Sequence, residues 1–297
     1  MRKIDLSISL ITYKNRDLLE NCLNSIYQNT HNISFEILLV DNASHDGSVE
    51  MVQKKFPKVK LTKNSKNLKF TKAHNQNLKK IKGKYFLILN EDTFIPKKTL
   101  EKMIRFMETH PKVGLASCLE VDGNNIPDKT CSRFPHPLIE FFESSILGSW
   151  IRKTFKLKPT EKSIANFRYS NWNRKTDKIV DVVPGSFMMG RKELVDKIGL
   201  FDEGTLLFYE EPDYCQRAKE VGFLSFHVGG VKIIHLKTQA FSKLPTFQRY
   251  QISKHDLLYY YKKYFGYRWW IFLVISYIPN TIYWKAISLN EKIVRKN

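Results

Sequence analysis

The chain has 297 residues, 42% of them hydrophobic, and a formal net charge of +20. That length allows one large or two modest domains, and the apolar content fills a core without disulfides or a structural metal. The four cysteines, Cys22, Cys118, Cys131 and Cys215, lie far apart in no zinc or redox spacing, which argues against a disulfide framework and for a reducing compartment.

The start, MRKIDLSISLITYKN, lacks a continuous apolar core and a small-residue cleavage site, so it reads as a strand rather than a signal peptide. Ile4 to Thr12 alternates apolar and polar residues, as a half-buried strand does. Leu18, Leu19, Cys22, Leu23 and Ile26 then recur at helical spacing, and FEILLVD is a continuous apolar strand ending in the turn residues NASHDGS. Helical VEMVQKKF, strand VKLTKN, a helix around Lys72 to Ile81 and strand KYFLILN follow. This β-α-β-α-β-α-β order with buried strands predicts an α/β fold, a mostly parallel sheet with helices on both faces.

After Pro96 the pattern is helical through Glu108, and VGLASCLEVD returns to strand. Residues 123–180 read as loops with one or two helices. The segment 179–203 holds a strand pair and a helix, Pro212 opens a further helix that Gly222 ends, and LSFHVGGVKIIHL supplies two short strands. Three polar clusters close strands at one sheet edge: Thr12–Asn15, Asp41–Ser44 and Asn90–Thr93. In parallel α/β sheets ligands bind beyond that edge, where strand order reverses.

The motifs SISLITYKNRDLLENCLNSI, LLVDNASHDGS, NLKFTKAHNQN, GKYFLILNEDTFI, VPGSFMMGRKELVDKIGLFDE and LLFYEEPDYCQRAKEVGF come in that order. Together they resemble the family 2 GT-A glycosyltransferases, in particular the rhamnosyltransferase-like branch, over roughly residues 5–240. The resemblance implies a GT-A domain over 1–240, with a nucleotide-sugar half (1–120) and an acceptor half (121–240), followed by a helical, aromatic-rich extension (241–297). It implies an inverting, metal-dependent transfer from a UDP- or dTDP-sugar, dTDP-rhamnose among them, to a glycan or lipid-linked acceptor in surface polysaccharide synthesis.

Such a reaction must neutralise a diphosphate leaving group and deprotonate an acceptor hydroxyl. A Mg²⁺ or Mn²⁺ ion serves the first need, with few protein carboxylates, because phosphate and water complete its shell. By the family's DxD-type element, Asn90 and Asp92 fill the first and third positions, with Asp92 the metal ligand. Extended backbone would place those two on one side and leave Glu91, where relatives often carry Pro, facing solvent or a salt bridge. The family's Glu-Asp-x-Asp maps onto Glu210, Glu211 and Asp213, making Glu211 the base and Asp213 a second catalytic candidate. Like-charge crowding could raise one of these pKa values, and helix N-terminal placement alone could also explain Asp213. The resemblance assigns Thr12 and Tyr13 to the base and ribose pocket, Asp41 to the pyrimidine, Asn67 and Asn75 to the diphosphate-sugar side, and His235 to the metal or diphosphate. Here Lys69, Ala73 and Asn77 stand where relatives have glycine. Gly185 and Ser186 would either admit the acceptor close to the backbone or form a turn.

Residues 254–284 are densely aromatic, with a Pro279–Asn280 break. They suit either a membrane interface or a helix pair packed on the catalytic domain or in a homodimer. The first choice would make the protein cytoplasmic and peripheral at the inner face of the membrane. The charge fits phosphorylated substrates, anionic lipid or nucleic acid, but it is scattered and accompanies no nucleic-acid motif. Its densest run, nine Lys or Arg in 151–178 against Glu161 and Asp177, also reads as a solvated face. A nucleotidyltransferase is the nearest other enzyme, but TYKNRD after the first strand lacks the expected glycines. A non-catalytic nucleic-acid-binding protein is the alternative outside the enzymes.

Overall fold

The computed structural model describes residues 4–237 and 245–294, with side chains through 290. Strands β1 (Leu6–Thr12), β2 (Phe35–Asp41), β3 (Lys60–Lys63) and β4 (Tyr85–Asn90) alternate with helices α1 (Arg16–Asn29), α2 (Ser48–Lys55) and α3 (Lys69–Leu78). The rest of the sheet is β5 (Thr93–Phe94), β6 (Val113–Val121), β7 (Lys178–Val180), β8 (Phe187–Arg191) and β9 (Leu224–His235). Its order is β3-β2-β1-β4-β8-β6-β9-β5, with β7 also paired to β9. Strands β3, β2, β1, β4, β6 and β9 run one way, and β8, β5 and β7 run against them.

Period-2 alternation splits β4 between two cores. Tyr85, Leu87 and Leu89 pack with Leu19, Leu23 and Ile26 of α1 on one face. Phe86 and Ile88 pack with Tyr214 and Ala218 of α9 (Glu210–Glu220) on the other. Each such side chain contributes about 1.5–3 kcal/mol by leaving water. The chain returns to the first face through α4 (Thr99–Thr109), whose Leu100, Met103 and Met107 are wholly buried.

Strand β1 is buried on both faces, not half-buried as its alternation predicts. Its serines survive there because partners satisfy them: Ser9 Oγ bonds His74 Nδ1 at 2.7 Å and Asn77 Nδ2 at 2.9 Å, and Ser7 Oγ donates to Glu36 at 2.6 Å. The 123–180 region holds three helices, α5 (Pro137–Ser144), α6 (Ile146–Thr154) and α7 (Lys158–Phe167), more than the one or two expected. The expected strand pair and helix of 179–203 appear as β7, β8 and α8 (Lys192–Ile198). The two short strands expected after Gly222 are one strand, β9, with a register shift opposite Cys118 and Leu119.

Helices α10 (Thr246–Ser276) and α11 (Ile278–Val294) close the chain. Gly266, at φ 77°, breaks α10 in two. Leu257, Tyr260, Tyr261 and Leu273 form a third core with Phe141 of α5, so the extension packs on the acceptor-side helices. None of the helices among the described residues is long and apolar enough to cross a membrane.

Candidate active site

Strand order reverses at β1, which sits between β2 and β4, and the cleft opens at the C-terminal ends of those strands. It measures about 540 Å³ and is walled by the β4 end, the start of α3 and the 207–211 loop. Strand β9 points the same way as β4, so its last residue, His235, reaches the same rim.

His235 Nε2 lies 3.1 Å from Asp92 Oδ1 and 3.5 Å from Asn90 Nδ2, so one imidazole gathers both ends of the Asn90-x-Asp92 unit. Its Nδ1 lies 3.1 Å from Glu120 Oε2, and Glu120 Oε1 accepts the Ser186 hydroxyl at 2.6 Å. Burial opposes a charged imidazole, but hydrogen bonds and charges from Asp92 and Glu120 prevail and push His235 up to about 10. The donor set fits a divalent cation. Asp92 offers a carboxylate oxygen, and His235, once a cation displaces the proton that Asp92 otherwise favours on Nε2, offers a nitrogen whose ring is oriented through Nδ1 by the buried Glu120 carboxylate. Glu120, Asp128 and His235 also present ligand atoms within 4.8 Å of one another.

Across the cleft, Glu211 Oε1 accepts the backbone N–H of Gly185 at 3.1 Å. A Cβ on Gly185 would stand 2.8 Å from that oxygen, so the close approach requires glycine. Burial raises the Glu211 pKa above the usual carboxylate range, against the Gly185 hydrogen bond. Burial, followed by the charge of Glu211, raises Glu210 as well. Desolvation is thus the leading cause at both groups, ahead of the like-charge crowding expected from sequence.

A sequence model of glycosyl transferase family 2 matches residues 7–199. The chain belongs to glycosyl transferase family 2. The N-acetylglucosaminyl-diphospho-decaprenol L-rhamnosyltransferase of Mycobacterium tuberculosis is 22% identical over 261 residues, covering 81% of this chain and 78% of that protein. An uncharacterized glycosyltransferase of Haemophilus influenzae is 34% identical over 127 residues, 41% of this chain and 48% of that protein, so the chain spans about half of that relative. Among solved structures, the mannosyltransferase PcManGT of Pyrobaculum calidifontis, in complex with GDP-Man and Mn²⁺, superposes with a TM-score of 0.58 at 15% identity. The superposition covers 99% of this chain and 76% of that one, a likeness of fold. Membership of a glycosyl transferase family, in a chain with the GT-A architecture, displaces the nucleotidyltransferase and nucleic-acid-binding alternatives.

The structure of this glycosyltransferase brings Tyr13, Asn67, Asn90, Asp92, Glu211 and His235 together on the cleft. Thr12 and Asp41 lie buried just beneath it, and among the described residues Asp41 Oδ1 has no hydrogen-bond partner. Such an orphaned acceptor fits a ligand that brings an N–H or O–H group. Asn42, next to Asp41, lines the cleft itself and donates to the Lys69 carbonyl at 3.2 Å. Lys69, one of the positions where the family resemblance expects glycine, has a left-handed backbone (φ 65°), the conformation that favours glycine.

Three expectations change. Asn75 is not on the cleft: its amide donates to the Phe201 carbonyl and Glu203 and accepts the Phe201 N–H, which fixes α3 to the 201–203 loop. Asp213 is not among the residues lining the cleft: it is buried against Arg217 (2.8 Å), Lys263 (2.6 Å) and Tyr264 (2.7 Å), contacts that tie α9 to α10. Glu91 is not solvent-facing, because β4 ends at Asn90 and the next two residues turn, which cancels the alternation. It accepts from Asn15 Nδ2 at 2.6 Å, and burial pushes its carboxyl up to about 7. Sequence reading passed over three groups at the cleft: Lys237 and Phe208 line it, and Glu120 stands behind His235. Glu120 left a trace in the sequence, the one carboxylate in a strand whose other polar residue is Ser117.

Proposed function

We propose that the enzyme transfers a sugar with inversion from a UDP- or dTDP-sugar, dTDP-rhamnose among them, to a glycan or lipid-linked acceptor in surface polysaccharide synthesis. Glu211 takes the proton of the acceptor hydroxyl, and that oxygen attacks the anomeric carbon from the face opposite the diphosphate. The bond from the anomeric carbon to the diphosphate oxygen breaks, and its electron pair leaves with the nucleoside diphosphate. Asp92 and His235 would hold Mg²⁺ or Mn²⁺, which, when bound, supplies charge neutralisation for the leaving group. Lys69 and Lys237 add positive charge at the same rim, and Tyr13, Asn67 and the orphaned Asp41 oxygen suit the nucleotide.

The observation that carries this reading is the position of Glu211. It lines both the donor cleft and a second cavity on its far side, as a base between two substrates must. The test is a thermal-shift panel of nucleotide sugars with and without Mn²⁺ or Mg²⁺, followed by transfer assays of Glu211→Gln. Metal-dependent stabilisation by a UDP- or dTDP-sugar is expected, with donor binding kept and transfer lost in the variant. Full transfer by Glu211→Gln would sink the base assignment.

A further inference from the structure

The second cavity, about 590 Å³, lies between Glu211 and the C-terminal helices. Its carboxylates other than Glu211 are already engaged. Glu140 accepts the hydroxyls of Tyr209 at 2.8 Å and Tyr277 at 2.7 Å, and Glu143 pairs with Arg168. Its remaining cations are not matched. Arg249 and Lys254, both on α10 and both lining the cavity, form no ion pair among the described residues.

Arg249 Nε is buried with no hydrogen-bond partner among the described residues, while its Nη2 donates to Thr246 Oγ1 at 3.2 Å. Lys254 Nζ donates to Thr281 Oγ1 at 2.8 Å, and burial lowers its pKa. Two partly desolvated cations, one of them with a buried N–H that lacks an acceptor, call for an anion, and guanidinium geometry suits phosphate.

The same cavity is bounded by Asn280 and Trp284 of α11. The outer side of that helix exposes Ile278, Ile282 and Leu289, spaced as one helical stripe, at 50, 66 and 54%. Residues 245–294 carry seven Lys or Arg against Asp256 and Glu291. An apolar stripe with net positive charge complements an anionic lipid surface.

We infer that this cavity is the acceptor subsite for a lipid phosphate or diphosphate: Arg249 and Lys254 hold the phosphate, and the apolar tail leaves along α11. The inference rests on Glu211 as the base, because it places the sugar end of the acceptor at that carboxylate. It assigns the extension the task of selecting the acceptor.

The test is calorimetric titration of the full chain with farnesyl diphosphate, inorganic diphosphate and farnesol. No donor and no turnover are involved, so failure of the base reading would appear only in the Glu211→Gln transfer assay. The wild type should bind farnesyl diphosphate at least about tenfold more tightly than either half-probe. Arg249→Gln/Lys254→Gln should lose at least about tenfold of that affinity, the scale of one charge-assisted hydrogen bond. Circular dichroism establishes that the variant is folded. If it is not, Arg249→Lys should retain most of the affinity that Arg249→Gln loses. Unchanged affinity in the neutralised variants overturns the phosphate grip. Inorganic diphosphate binding as tightly as farnesyl diphosphate overturns the lipid, in favour of a soluble phosphate ligand.

Discussion

Asp256 Oδ2 accepts the backbone N–H of Phe208 at 3.0 Å, three residues before Glu211. The same carboxylate takes the N–H groups of Leu206 at 3.1 Å and Leu207 at 2.9 Å, and Asp256 is wholly buried. A helix beyond the family match therefore sets the backbone of the turn that leads into α9 and Glu211, the proposed base. Asp256→Ala should cost roughly 2–3 kcal/mol of stability, since buried N–H groups lose a charged acceptor. It should also lower kcat while leaving donor affinity near wild type. Denaturant unfolding and steady-state kinetics on one preparation check both, and an unchanged kcat would remove Asp256 from the positioning role.

Gly185→Ala is expected to act on Glu211 directly. The new methyl would meet Glu211 Oε1 at 2.8 Å and Phe70 Cζ at 3.1 Å, and the flexible carboxylate must yield. The backbone at 185 is not left-handed, so no conformational penalty confuses the result. A displacement approaching 1 Å lowers turnover by on the order of 100-fold. Kinetics should show that loss in kcat with donor binding intact, and wild-type turnover would mean the carboxylate has room to move.

The raised pKa values of Glu210 and Glu211 have an acid–base consequence of definite sign. The folded state holds these protons at a pH where the unfolded chain has released them. Stability contributed by the neutral forms is therefore present below the unfolded carboxylate pKa and lost as pH rises through the folded values. Activity moves oppositely, because the base must be ionised. Glu210→Gln should flatten the fall in melting temperature above about pH 4.3 without abolishing transfer. A melting temperature that falls with pH as steeply as in wild type would refute this.

Asp213 and Glu211 should separate stability from chemistry. Asp213→Asn weakens the ties to Arg217, Lys263 and Tyr264, so about 2 kcal/mol of stability should be lost, discounted because Lys263 is a third exposed. Protein that remains folded should still transfer sugar. Glu211→Gln should give the reverse, and a dead but stable Asp213→Asn would return that residue to the chemistry.

The first half of the fold is legible from the sequence because its strands obey one rule. Apolar residues of β2 and β4 pack on helices on both faces, which makes the runs continuous, and the polar ends that follow them mark the cleft. Helices α5 to α7 are harder to read because α5 buries Phe141 against α10 and meets Asn280 of α11, both over a hundred residues away. The pair Gly229–Gly230 looks like a turn between strands, yet a Cβ on Gly229 would lie 2.5 Å from the Lys175 backbone. That glycine admits a neighbouring chain within one strand. Asn75 and Asp213 match their family positions in sequence, but their side-chain valences are spent on tertiary contacts that no local pattern reveals.

The wiring between α10 and the 202–213 loop also bears on how such proteins can be recombined. Asp256 reaches Leu206 to Phe208, Tyr259 and Lys263 reach Asp202, and Lys263 and Tyr264 reach Asp213. A chimera joined near residue 240 would pair one parent's loop with another parent's helix and mismatch all of these contacts at once. Residues 202–213 and α10 thus form a single unit of inheritance, though more than thirty residues of chain lie between them.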